Sequence, residues 1–263
     1  MFIEKQQEIS TVTKYKPSTK MRIVLSYLLT PVYLLIFGLL LLIFHPLQFI
    51  GYHLGGERGH KVVVDMLNGA LMLFLLILGV RFKFNGFTRL PAHKPLVVVA
   101  NHQSAFDVPP IVWGFRKYRL KFVAKKELAK NIPSISYNLR KSGAALIDRK
   151  KPALAVKAIE NLGEEMCKKG FSVCIFPEGT RSRTGRVKKF ASAGLEALLK
   201  SCPDAIIVPL AIDGSAALQE KGFFPLRAGT KISITALEPL VPQGSTAVEL
   251  AHKVRSKIKD AIR

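Results

Sequence analysis

Leu96-Val97-Val98-Val99-Ala100-Asn101-His102-Gln103-Ser104-Ala105-Phe106-Asp107 is the stretch on which the reading of this 263-residue chain turns. Its first five residues are apolar without alternation, which marks a strand buried on both faces, as in a parallel sheet covered by helices. The run ends in a histidine, a carboxylate follows five residues later, and Val108-Pro109-Pro110 comes next. On a continuous helix of about 3.6 residues per turn, side chains five apart point about 140° away from each other. The pair therefore needs a turn, and a strand end followed by helix-starting prolines supplies one. There a carboxylate can fold back onto one imidazole nitrogen and leave the other to accept a proton. The same spacing also fits an Asp107 that only caps a helix beside a His102 satisfied at the surface.

Outward from this stretch, short β-branched runs at 121–124, 145–147, 172–176, 206–211 and 231–236 alternate with helical patterns at 152–168, 192–201 and 245–263. That texture, beginning near Phe82, predicts an α/β fold with a mixed, mostly parallel sheet flanked by helices. The run at 172–176 leads straight into Pro177-Glu178-Gly179-Thr180-Arg181-Ser182-Arg183. A glycine, two hydroxyls and two guanidiniums at a strand's carboxyl end suit a phosphate monoester, which needs close backbone approach and bidentate charged donors. A solvated basic loop reads the same way.

The N-terminal third has a different character. Lys14, Lys16 and Lys20 precede a run from Ile23 to Phe44 that carries no charge and is long enough to cross a bilayer, which takes about 20 apolar residues. No small-x-small cleavage site follows, so the run does not read as a signal peptide. Pro31 within it predicts a kink or break. A second apolar segment, 62–80, holds Asp65 and Asn68 near its start, leaving only 69–80 uninterrupted. Two helices that both cross and a hairpin sunk into one leaflet are the competing arrangements. The short second segment and the cost of charge in lipid favour the hairpin, with 14–22 and 81–83 at the headgroups. The glycines of 51–60 superficially resemble a phosphate loop, but no strand precedes them, and the segment reads as a flexible interfacial turn. Residues 1–80 are thus expected to form a basic segment and two-helix membrane motif, and 81–263 an α/β domain.

Composition agrees with a membrane surface. Forty Lys and Arg against 18 Asp and Glu leave a net charge of +22, and 49% of residues are hydrophobic. Mean hydropathy is +0.22. A nucleic-acid binder of such basicity lacks long apolar runs, and this chain has no aromatic-interleaved basic stripe or recognisable reading module. A phosphohydrolase would want a metal-binding carboxylate cluster, and Asp107, Asp148 and Glu178 are not spaced as one. The three cysteines, Cys167, Cys174 and Cys202, form no C-x-x-C pair, so neither a disulfide framework nor a zinc site is indicated. No metal and no bound cofactor are expected.

Asn101, His102 and Asp107 meet an N-H-x-x-x-x-D block, and Phe176 to Ser182 read F-P-E-G-T-R-S. With weaker blocks at 122–128, 143–149 and 207–212, the chain resembles the glycerolipid acyltransferase family over about residues 95–213. The resemblance implies transfer of a fatty acyl group from acyl-CoA or acyl carrier protein to the free hydroxyl of lysophosphatidic acid, giving phosphatidic acid. It implies His102 as general base and Asp107 as its orienter. Lys125, or backbone N–H groups beside His102, would stabilise the oxyanion, with Lys126 a competing choice. Arg181, with Gly179, Thr180 and Arg149, would take the acceptor phosphate, and Glu178 would position the arginine or the glycerol hydroxyl. None of the cysteines need act as a nucleophile. A membrane location on the cytoplasmic face, against anionic lipid, would follow for a bacterial protein. A lysophospholipid remodelling enzyme or a CoA-independent transacylase is the alternative inside the family. Beyond Ile212 no functional signature stands out, and 216–227 is where substrate preference is expected to vary.

Overall fold

The computed structural model describes residues 19–92 and 94–262; Lys14 and Lys16 of the basic N-terminal segment lie outside the described residues. In chain order the elements are α1 (Thr19–Phe74), β1 (Arg81–Asn85), β2 (Leu96–Ala100), α2 (Val108–Gly114), β3 (Lys121–Lys125), α3 (Ile135–Lys141), β4 (Ala145–Ile147), α4 (Pro152–Lys169), β5 (Val173–Ile175), α5 (Ala193–Ser201), β6 (Ile206–Asp213), α6 (Ser215–Leu218), β7 (Lys231–Ala236) and α7 (Ala247–Ala261). The seven strands form one sheet in the order β1-β7-β6-β2-β5-β3-β4. Every pairing is parallel except β6 with β7. The expected mixed, mostly parallel sheet is therefore present.

The unbroken apolar run of β2 is explained by its central place. Val97 and Val99 join a core built with Ile159 and Met166 of α4, Leu198 of α5 and Val254 of α7. Leu96, Val98 and Ala100 point to the other face, where Tyr33, Leu75, Phe106 and Phe115 form a second core. The cover of that second face is α1 itself, with Tyr33 wholly buried.

α1 is one long helix bent back on itself at Gly56, the only residue within it outside helical φ/ψ (φ 57°, ψ −146°). The break thus lies at Gly56 and not at Pro31. Pro31 is on the outward side while its neighbours Thr30 and Tyr33 are fully buried, so packing on either side keeps the backbone helical through the missing bond. The segment 51–60 is correspondingly helical on both sides of a one-residue turn. The two arms meet closely there: a Cβ on Gly59 would stand 2.3 Å from the Gly51 carbonyl oxygen.

β1 is a strand where the sequence pattern places only headgroup-facing cations. Arg81 and Lys83 are exposed as expected, but they alternate with Phe82 and Phe84, which pack on the second core, and the strand pairs residue by residue with 231–235 of β7.

Candidate active site

Five parallel strands, β2 to β6, end on one edge of the sheet, where open α/β folds place their ligands. β2 delivers His102 there, and its neighbours β5 and β6 deliver 176–182 and 213–219 on either side. His102 Nδ1 is 2.8 Å from Asp107 Oδ2. A carboxylate only accepts, so Nδ1 carries the hydrogen, and in the neutral imidazole Nε2 keeps its lone pair. Asp107 stands at the N-cap of α2 but its side chain makes no capping bond there; it accepts from Ser104 N–H instead, as the third residue of a capping box that Ser104 starts over the short turn 105–107.

Asp107 is fully buried and its oxygens are saturated with donors. Oδ2 accepts the backbone N–H groups of Gln103 (2.7 Å) and Ser104 (2.9 Å) as well as His102. Oδ1 accepts the Ser215 hydroxyl at 2.5 Å and the Ser104 hydroxyl at 3.3 Å. The imidazole ring stacks on Phe176, centroids 4.2 Å apart and planes 23° apart, which fixes its remaining rotation. Asn101 is bonded both ways to Ile212, at 2.8 Å each, so the start of the loop is stitched to β6.

The loop after β5 closes against the same histidine. Ser182 N–H donates to the His102 carbonyl at 2.7 Å, and His102 N–H donates to Glu178 Oε1 at 3.2 Å. Glu178 Oε2 is buried with no partner among the described residues. Burial pushes its carboxyl above the ordinary glutamate range, against the pull of the nearby backbone N–H groups of His102 and Lys188. Gly179 has φ 68°, the left-handed region, with open space where a Cβ would be, so backbone conformation alone calls for glycine there. Thr180 and Arg181 are exposed beyond it. Glu178 is bonded to His102 and not to Arg181.

Lys125 is exposed at the carboxyl end of β3, in register with Ile147 of β4, and Arg149 is exposed two residues past that strand. Neither bonds to the His102–Asp107 pair. Lys126 is committed elsewhere, to Asp148 at 2.6 Å. The backbone N–H groups of residues 102 to 105 are spent on Glu178, Asp107, Asp107 and Gln219 respectively, so none of the four is left for an oxyanion. Cys174 is buried in the core beneath the sheet, where burial raises its thiol far above the usual range, a poor setting for a nucleophile.

The residues that sequence reasoning missed are Ser215 and two glutamines. Gln103 Oε1 accepts Ala216 N–H at 3.1 Å, its amide donates to the Gly185 carbonyl at 3.2 Å, and Gln219 accepts Ala105 N–H at 2.9 Å. Ser215 lies 108 residues from Asp107, and only a strand order placing β6 beside β2 brings them together.

A family model described as Acyltransferase matches residues 81–213, half of the chain and the part that carries every site residue above except Ser215 and Gln219. The chain belongs to the acyltransferase family. Among curated relatives of this acyltransferase, the 1-acyl-sn-glycerol-3-phosphate acyltransferase of Pseudomonas aeruginosa is 34% identical over 137 residues, 52% of this chain and 52% of that one. The chain thus matches about half the length of that relative. The human 1-acyl-sn-glycerol-3-phosphate acyltransferase beta is 28% identical over 196 residues, 74% of this chain and 69% of that one. The crystal structure of the 1-acyl-sn-glycerophosphate acyltransferase PlsC from Thermotoga maritima superposes with a TM-score of 0.72 at 25% identity, covering 92% of this chain and 96% of that one.

Proposed function

We propose that this acyltransferase moves a fatty acyl group from a thioester, acyl-CoA or acyl carrier protein, to the free hydroxyl of 1-acyl-glycerol 3-phosphate, yielding phosphatidic acid in phospholipid synthesis. One observation carries the reading: an imidazole whose Nδ1 is held by a saturated, buried carboxylate while Nε2 has no protein partner among the described residues. His102 Nε2 takes the hydroxyl proton as the oxygen attacks the thioester carbonyl. The tetrahedral intermediate then expels the thiolate, which recovers that proton from His102. A positioned base of this kind contributes about 10²–10⁴-fold. Lys125 is the remaining candidate for the oxyanion. Arg181, with Gly179, Thr180 and Arg149, binds the acceptor phosphate, and the unpaired Glu178 Oε2 receives a hydroxyl of the acceptor. The relatives named for this reaction support the choice of acceptor.

The same proposal assigns residues 1–80 to membrane attachment and 81–263 to catalysis, with the protein lying on one face of the bilayer, the cytoplasmic face of the inner membrane if bacterial. The helix α1 is long and apolar enough to cross a membrane. Its packing argues for lying along the surface. Ser26 and Thr30 accept from Ala228 and Leu226, Leu41 and His45 are bonded to Ser134, and Glu57 pairs with Arg119. From Ser26 to Tyr52, whose ring takes the Lys141 ammonium, an α-helix rises about 39 Å, so contact with the catalytic part extends over more than the roughly 30 Å of a hydrocarbon core. The opposite side presents Ile23, Val24, Leu28, Leu35, Leu39 and Leu42, all exposed, as an apolar face to lipid with cationic side chains nearby for anionic headgroups.

The deciding experiment offers purified protein labelled acyl-CoA and acyl carrier protein against glycerol 3-phosphate, lysophosphatidic acid and lysophospholipids. Label should enter phosphatidic acid from lysophosphatidic acid, and folded His102→Ala protein should lose at least about 10²-fold in kcat. Label entering only other lysophospholipids would move the protein to lipid remodelling.

A further inference from the structure

We propose that Ser215 is a positioning residue that completes the His102–Asp107 pair into a chain of three side chains, Ser215 to Asp107 to His102; this rests on the acyl-transfer reading above. Ser215 is fully buried at the turn after β6, outside the family-matched range. The turn itself leaves no freedom: Gly214 has φ 87°, and a Cβ there would meet the Lys231 carbonyl oxygen at 2.1 Å. A hydroxyl carries one hydrogen. Two acceptors lie in reach, Asp107 Oδ1 at 2.5 Å and Gln103 Oε1 at 3.2 Å. The carboxylate is charged and is the nearer of the two, so the hydrogen goes to Asp107.

The consequence is geometric. Oδ2 serves the imidazole and two backbone N–H groups, while Oδ1 has only Ser215 and a weaker contact to Ser104. Without the Ser215 hydroxyl, a carboxylate with no exposed surface has one oxygen nearly unbonded and turns about its Cβ–Cγ bond toward another donor. That turn carries Oδ2 away from Nδ1. The bonds that Ala216 and Gln219 make to Gln103 and Ala105 hold the 215–219 segment against the loop, so Ser215 stays where it acts. Hydrogen bonds to a charged group of this kind are worth enough to change a rate by about tenfold or more when removed.

Two readouts test it on the full-length protein in detergent. Ser215→Ala should lower kcat by about tenfold or more while the KM for donor and acceptor stay within about twofold. In an Asp107→Asn background the same change should cost almost nothing. A loss of equal size in both backgrounds would show a general structural effect and overturn the proposal, as would an unchanged kcat. The second readout does not depend on turnover: the His102 Nδ1–H proton resonance, assigned by its disappearance in His102→Ala, should move in Ser215→Ala, and a resonance that stays in place overturns the proposal. Should the wild-type protein transfer no acyl group to any acceptor, the acyl-transfer reading fails on that result while the resonance still decides the role of Ser215.

Discussion

Glu178 is a residue on which burial and hydrogen bonding act in opposite directions. Its Oε1 is bonded to His102 N–H, its Oε2 is buried without a partner, and burial raises its carboxyl above the ordinary glutamate value. In the pH window between the ordinary and the raised value, the unfolded chain has released its proton and the folded chain has kept it, so folded stability falls as pH rises through that window. Glu178→Gln keeps an acceptor for His102 N–H and titrates nothing. The stability of the Gln variant relative to wild type should therefore grow from about pH 4 upward, measured by chemical denaturation across pH; a difference that is flat with pH would mean the carboxyl is not held up by burial. The His102, Asp107 and Glu178 cluster is legible in the sequence because each residue lies within a few positions of a strand's end, where a linear motif preserves what the sheet assembles. Ser215 is not legible there, since a serine two residues past a strand carries no signal until β6 is known to lie beside β2.

At the scale of elements, strands are legible from either of two patterns, the unbroken apolar run of β2 and the apolar–polar alternation of β7. β2, β4 and β7 have the expected bounds, while β1 escapes because its two cations draw attention away from the period-two alternation of Arg81-Phe82-Lys83-Phe84. In α1 the bend falls within the turn expected at 51–60, and what departs from expectation is the helix that continues through Pro31: proline breaks a helix only where packing does not hold it, and Thr30 and Tyr33 hold this one. The glycines of α1 make a matched pair of tests. Gly59→Ala drives a Cβ into the Gly51 carbonyl oxygen and should destabilise the protein by about 1–3 kcal/mol. Gly38 sits in the same helix with nothing within 4 Å of where a Cβ would stand, so Gly38→Ala should be neutral or stabilise by up to about 1 kcal/mol through helix propensity. Thermal melts of both variants in one detergent check the pair; equal effects would mean that the arms do not cross at Gly51 and Gly59.

For the whole molecule, α1 is at once the cover of a sheet face and an exposed apolar face, so the membrane attachment proposed above and the folding of the sheet would share one element. With vesicles holding anionic lipid, protein added from outside and the native cysteines replaced, Leu54→Cys at the exposed bend should react with an impermeant thiol reagent also added outside. Protection of that site until the vesicles are opened would place both arms across the bilayer and end the one-face arrangement. Binding should also weaken as salt is raised, in keeping with the net charge of +22. The order in which the chain is made adds a constraint. The bonds that seat α1 join Ser26 to Ala228 and Thr30 to Leu226, 202 and 196 residues apart, and β1 awaits a β7 that lies 150 residues on. At roughly 5–20 residues per second of synthesis, about 10–40 seconds separate the emergence of the two ends. Through that interval Tyr33 and its neighbours have no sheet to cover, and a nascent chain that rests its first helix on lipid as it appears is spared the self-association that such an uncovered surface invites.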